Sequence, residues 1–162
     1  MDIRVGLGHD THRLEEGRPL ILGGVAVEYS RGLAGHSDGD IVFHALTDAL
    51  LGAIGAGDIG ELYPDKDPQW KGADSRIFIE GAMARVTRAG FSVANTDIII
   101  HAEKPKLGPV KERIRDQVAK CLGIEADRVN IKAKTGEKVG HIGRGEAMAC
   151  HAVVLLKKPL SS

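Results

Sequence analysis

Cysteine is nearly absent: Cys121 and Cys150 are the only two in 162 residues. Two distant thiols make no disulfide framework, so they read as small buried apolar groups of a protein kept in a reducing compartment. Aromatics are sparse as well, with one Trp, two Tyr and three Phe, and an apolar share of 43% is ordinary for a soluble globular chain. An excess of one charge is missing too. Lys plus Arg and Asp plus Glu number 22 each, so nothing calls for nucleic acid or a membrane surface as partner. No run of eighteen apolar residues occurs, and the first residues enter a strand pattern at once. A membrane span, signal peptide or transit peptide is therefore not expected, and the expected location is cytoplasmic.

Glycine, by contrast, is abundant at 21 residues, which points to tight turns and to backbone brought close to a ligand. The length fits a single domain over residues 1–162 with a real core.

Two short stretches carry metal-binding chemistry: Asp10-Thr11-His12, and His36 to His44 with the sequence HSDGDIVFH. On a strand, Asp10 and His12 share a face, with Thr11 on the other. His44, about a turn into a following helix, supplies a third ligand. Two imidazoles and one carboxylate with a fourth position open suit a catalytic zinc; the plainer alternative is a hydrogen-bonded Asp-x-His pair beside a packed helix histidine. Asp48, four residues after His44, is either the partner that orients that imidazole or a solvated helix carboxylate.

Along the chain, Ile3 to Leu14 reads as a strand, and Leu20 to Tyr29, interrupted by Gly23-Gly24, as a second strand pairing with it. Ser30 to Gly35 reads as a loop. Ser37 or Asp38 is placed to cap a helix from about Gly39 to Ile54, whose apolar stripe is mixed. Gly55 to Gly72 is a long irregular stretch, the kind that forms binding loops. A helix follows from Asp74 or Ser75 to Arg88 with Ile77, Ile79, Ala82, Met83 and Val86 as its buried side, and Gly90 stops it. Phe91 to Ala102 is a strand, Val110 to Leu122 a helix, Arg128 to Thr135 a strand, and Ala147 to Leu156 a last strand before a polar tail. The expectation is a two-layer α+β domain: a four-stranded mixed sheet with helices on one face.

Two further segments suit anions. Lys132 to Glu146 combines Thr135, Glu137, cations and four glycines, and Ala102 to Gly108 places two lysines around Pro105 at a strand end. Each reads equally as an ordinary charged turn or connection. The Walker pattern is missing, Gly6-x-Gly8 lacks the third glycine of a dinucleotide fingerprint, and no Ser or Cys nucleophile with a paired base is evident. A metal, an anion cradle and no protein nucleophile favour phosphoryl chemistry in which the substrate provides its own nucleophile.

Together GHDTH, HSDGDIVFHALTDALLGAIGAGDIGELYPD, GADSR, EKPKLGPV and VNIKAKTGEKVGHIGRGEAMAC resemble the 2-C-methyl-D-erythritol 2,4-cyclodiphosphate synthase family over essentially the whole chain. The resemblance implies cyclisation of 4-diphosphocytidyl-2-C-methyl-D-erythritol 2-phosphate with release of CMP, in the non-mevalonate isoprenoid pathway. It implies Zn2+ on Asp10, His12 and His44, and Mg2+ or Mn2+ on Glu137 with the substrate diphosphate. It gives His36 and Thr135 the task of orienting and stabilising the transition state, with Thr11 and Ser37 at the substrate. Asp58, Ile59, Gly60 and the loop Tyr63, Pro64, Asp65, Lys66, Asp67 are implied to grip the erythritol. Ala102, Glu103, Lys104, Pro105, Lys106, Leu107 and Gly108, with Lys134 to Glu137 including Gly136, are implied to hold the cytidine and diphosphate; His141 and Arg144 are counted with the substrate-binding residues, Arg144 matching an anion-contacting position near the trimer axis. The chain departs from the family pattern at Lys134, Gly136 and His141. A homotrimer with sites between subunits is implied as well. His9, His101 and His151 receive no role. Two rival readings are a water-activating zinc hydrolase or deaminase, which lacks the H-x-E and P-C-x-x-C elements, and a non-catalytic sensor of isoprenoid diphosphates.

Overall fold

Alternation in the first fifteen residues after Met1 is sustained enough to make one long strand, β1 (Asp2–Glu16), and this strand sets the layout of the molecule. The computed structural model describes residues 1–159; the end of the expected polar tail lies outside the described residues. Strands β2 (Leu20–Leu22), β3 (Val25–Val27), β4 (Arg31–Leu33), β5 (Ser92–His101), β6 (Val129–Lys134) and β7 (Ala147–Lys158) complete the β structure. The main sheet has five strands, in the order β4-β1-β7-β5-β6, with β5 and β6 parallel and the other pairs antiparallel.

The expected four-strand sheet is thus corrected to five. The extra strand, Arg31–Leu33, lies in the stretch read as a loop, because three residues are too few to show a period. The expected pairing of Leu20 to Tyr29 with β1 is also wrong. Gly23 and Gly24 both take positive φ (57° and 72°), the pair of conformations a two-residue hairpin turn needs, so β2 folds back on β3 as a separate ribbon.

Helices α1 (Ile41–Ala53), α2 (Ile59–Leu62), α3 (Arg76–Arg88), α4 (Lys111–Leu122) and α5 (Gly140–Gly143) follow the order of the chain. α1 is apolar almost all round, with ten buried residues, which explains its mixed stripe: it lies inside the domain, between the sheet and α3. Only His44, Asp48 and Gly52 interrupt that burial, and their spacing of four puts them on one line along the helix. The helix is capped by Asp40, not by Ser37 or Asp38. The Asp40 carboxylate accepts from the amides of Val42 and Phe43 and also from Gly23 and Gly24, so one buried side chain fixes both the helix start and the hairpin turn. On α3, Ile79, Ala82 and Val86 are buried as expected and Met83 is half-buried, but Ile77 is exposed and Phe78, given no place on the buried side, is buried. Among the described residues no helix is long and apolar enough to cross a membrane.

Candidate metal centre and active site

Gly6, Gly8, Asp10, His12 and Leu14 occupy the face of β1 turned towards α1. The two glycines let the helix rest on the strand backbone: a Cβ on Gly8 would lie 1.8 Å from the Ala45 carbonyl oxygen, and one on Gly6 1.8 Å from that of Ala49. Gly6-x-Gly8 is therefore a packing device. Because α1 sits so low, its first turn brings His44 against Asp10, two residues beyond Gly8.

One oxygen of Asp10, Oδ2, lies 2.9 Å from His12 Nε2 and 3.0 Å from His44 Nδ1. One ligand atom from each of the three residues falls within 4.8 Å of the others. Both imidazoles have an outer partner on the opposite nitrogen: His12 Nδ1 donates to the Ala34 carbonyl, and His44 Nε2 lies 2.8 Å from Ser75 Oγ. Such partners orient metal-binding histidines and hold the correct tautomer. With one carboxylate and two nitrogens aimed at a common point and both rings anchored behind, the donor set fits a divalent cation such as zinc.

The electrostatics agree. Burial would raise the Asp10 carboxyl, but its close contacts with the His12 and His44 imidazoles outweigh it and hold Asp10 well below the usual carboxylate range. Burial would lower His12, and the hydrogen bond and negative charge of Asp10 outweigh that and raise it.

Of the two roles left open for Asp48, orienting His44 or standing solvated, the fold uses neither. Asp48 Oδ1 accepts the Ile59 amide at 2.7 Å, pinning α2 to α1, while Ser75 at the start of α3 takes the outer nitrogen of His44. Nothing in the spacing of the sequence pairs His44 with a residue 31 positions later.

Around the three ligands opens a cavity of about 190 Å³, lined also by His36, Ser37, Ile59, Gly60, Tyr63, Asp65, Trp70 and Phe78. His36 Nε2 is 3.1 Å from the Asp67 carbonyl oxygen, which ties the metal-side loop to the Tyr63 to Asp67 segment. Asp58 and Asp67 act locally as caps, accepting from the amides of Glu61 and Gln69. Tyr63, Trp70 and Phe78 pack edge to face and tilted, with ring centroids 4.7 to 5.9 Å apart, and form the apolar wall. Pro64, Lys66 and Thr11 are exposed outside the cavity lining. Trp70, Ser75 and Phe78 were missed by sequence reasoning; the Ser75-x-x-Phe78 spacing on one helix face is the one local signal for the last two.

The second group of expected residues forms its own cluster. Parallel pairing sets His101 beside Lys134, the Ala102 amide donates to the Lys134 carbonyl at 2.8 Å, and the Gly136 amide donates to Glu103 Oε2 at 2.9 Å. Thr135, Glu137 and Lys138 stand exposed on this turn, where Glu137 and Lys138 take positive φ (50° and 61°). Leu107 is buried in the core, while Lys104, Lys106 and Gly108 are exposed. His141 lies on α5, and Arg144 just beyond it donates to Glu146 Oε1 at 2.7 Å. Neither Thr135 nor Glu137 lines the metal-side cavity, so within one chain the two clusters remain separate.

The YgbB family model matches residues 3–157. A 2-C-methyl-D-erythritol 2,4-cyclodiphosphate synthase of Laribacter hongkongensis is 52% identical over 160 residues, covering 99% of both chains. The bifunctional IspDF of Campylobacter jejuni superposes with a TM-score of 0.93 at 46% identity, over 98% of this chain and 43% of that one. A CDP-bound 2C-methyl-D-erythritol-2,4-cyclodiphosphate synthase superposes with a TM-score of 0.88 at 42% identity, over 95% of this chain and all of that one. The chain belongs to the YgbB family, together with these cyclodiphosphate synthases.

Proposed function

We propose that the chain is a phosphorus–oxygen lyase that converts 4-diphosphocytidyl-2-C-methyl-D-erythritol 2-phosphate into 2-C-methyl-D-erythritol 2,4-cyclodiphosphate and CMP, in the cytoplasm, as a step of non-mevalonate isoprenoid synthesis. The observation that carries this reading is the convergence of Asp10, His12 and His44 in a chain that matches such synthases from end to end.

An oxygen of the 2-phosphate attacks the β-phosphorus, the bond from that phosphorus to the bridging oxygen breaks, and the electron pair leaves with CMP. Asp10, His12 and His44 would hold zinc, and Glu137 with the substrate diphosphate would hold magnesium or manganese; bound there, the ions would supply the positive charge that lets one phosphate approach another. His36 and Ser37, on the loop that enters α1, orient the reacting phosphates. Asp58, Ile59, Gly60 and the Tyr63 to Asp67 loop close on the erythritol, whose hydroxyls donate to carboxylate and carbonyl acceptors. Ala102 to Gly108 holds the cytidine, and Lys134 to Glu137 holds the diphosphate, with the Thr135 hydroxyl aimed at the transferring group.

The separation of the two clusters within a chain supports a homotrimer in which neighbouring subunits complete each site. The outer face of the sheet supports the same reading: Ile3, Val5 and Leu7 on β1 and Val153 on β7 are 58%, 67%, 68% and 41% exposed, a contiguous apolar surface suited to burial against further copies. Each subunit, residues 1–162, acts as one domain around a continuous core.

Phosphorus NMR of the metal-loaded protein with the diphosphocytidyl substrate tests the reading. A cyclic diphosphate together with CMP is expected. A linear hydrolysis product would turn the assignment to a zinc hydrolase, and binding without turnover to a sensor.

A further inference from the structure

Behind His44 the chain has built a polar relay around Ser75, which does not line the metal-side cavity. Ser75 is fully buried, and its side chain meets three groups: His44 Nε2 at 2.8 Å, Asp38 Oδ1 at 2.5 Å and Ser37 Oγ at 3.4 Å. Its backbone amide also donates to Asp38 Oδ2 at 3.0 Å. An ionised carboxylate only accepts hydrogen bonds, and a serine hydroxyl has one proton. That proton is committed to Asp38, so towards His44 the Ser75 oxygen can only accept. Ser37 Oγ also reaches His44 Nε2, at 3.1 Å, but the closer 2.8 Å contact with Ser75 holds a proton only if Nε2 carries it, so Nδ1 is left bare, 3.0 Å from Asp10 Oδ2. Two acceptors facing each other at that distance are satisfied by a cation held between them.

We propose that Ser75 is a positioning residue for the metal centre: held by Asp38, it fixes His44 in the tautomer whose bare Nδ1 faces Asp10, and thereby sets the affinity for the ion. The inference rests on the reading of Asp10, His12 and His44 as zinc ligands. It gives a task to the segment HSD beyond contact with substrate. Asp38 closes the relay, and because it also accepts the Asp40 amide at 3.1 Å, it couples the orientation of His44 to the loop that caps α1.

Nitrogen-detected NMR of the imidazoles in the metal-free full chain, followed up to alkaline pH, reads the tautomer without any dependence on turnover. His44 is expected as the Nε2–H form; an Nδ1–H form in the unsubstituted protein overturns the proposal whatever the variants do. Ser75→Ala is expected to mix the two tautomers and to weaken zinc binding by about 10- to 100-fold in a competition with a chelator, the range for loss of an outer partner of a ligand. Ser75→Thr keeps the hydroxyl and is expected to restore both. Unsubstituted protein that takes up no zinc would refute the zinc reading itself, while the tautomer measurement still decides the relay. Unchanged zinc affinity and an unchanged His44 tautomer in Ser75→Ala would overturn the positioning role alone.

Discussion

The metal centre depends on how closely α1 approaches β1, and Gly8→Ala perturbs that distance directly. The added Cβ would sit 1.8 Å from the Ala45 carbonyl oxygen and 2.8 Å from both the Ala45 carbonyl carbon and the Ala49 nitrogen. Carbon-to-heavy-atom contacts settle at about 3.5 Å, so the helix or the strand has to yield by more than an ångström. All three contacts are backbone, and no rotamer relieves them. Overpacking of this kind costs about 1–3 kcal/mol, which for a chain of this size lowers Tm by about 2–12 °C. The functional loss is expected to be larger than the stability loss. Ala45 is bonded to His44, so a shift of that size pulls Nδ1 away from a site that tolerates about 0.5 Å, and a displacement of about 1 Å can cost about 100-fold in rate. Gly52→Ala is the matched control. It lies on the same helix with nothing within 4 Å of its Cβ, and it is expected to be neutral or to stabilise by up to about 1 kcal/mol through helix propensity. Thermal denaturation, zinc content by elemental analysis and turnover are measured on both. Gly8→Ala with unchanged Tm, full zinc and full turnover would refute the close-packing argument.

His44→Ala should strip zinc and abolish turnover, whereas Glu137→Ala should keep zinc and lose the magnesium dependence; elemental analysis and a magnesium titration separate the two. Gly81→Ala places a Cβ 1.9 Å from the Tyr63 hydroxyl, so Tyr63 must leave its stack on Phe78 and Trp70. A KM raised about tenfold or more is expected, with zinc content unchanged, because about 1.4 kcal/mol of lost substrate contact is a factor of ten. The metal-free protein should show an acidic stability window from the Asp10–His12 pair. His12 is raised above its ordinary 6.5, so its contribution is full below 6.5 and is lost as pH climbs through the folded value. Asp10 is lowered below its ordinary 3.8, so its contribution is full above 3.8 and is lost as pH falls through the folded value. The pair therefore stabilises most between 3.8 and 6.5. Zinc, which needs a neutral His12, should move the maximum to higher pH; a zinc-induced Tm gain that does not grow with pH across this range would contradict the ligand assignment.

The long, strongly patterned elements were legible in the sequence. β1 announced itself by alternation, and α3 and α4 came within one or two residues of their expected boundaries. The candidate metal cluster was legible because Asp10 and His12 share a strand face by arithmetic alone. Short elements were not: β4 has three residues, and α2 with the turn Pro68–Trp70 sits inside the stretch read as irregular. Partnerships over long separations were hidden as well. The Asp40 carboxylate reaches Gly23 and Gly24, and Ser75 reaches both Asp38 and His44, contacts created by tertiary packing that no local spacing encodes. Asp48 illustrates the cost of local reasoning, since helical proximity to His44 was real and the Ile59 amide still won its carboxylate.

The most direct test is anomalous diffraction at the zinc edge from crystals grown with zinc. A single strong peak per chain is expected, at about 2.0–2.2 Å from an Asp10 oxygen, His12 Nε2 and His44 Nδ1. Diffraction from zinc-saturated crystals with no peak at that point, or with the ion bound through other residues, would contradict the account.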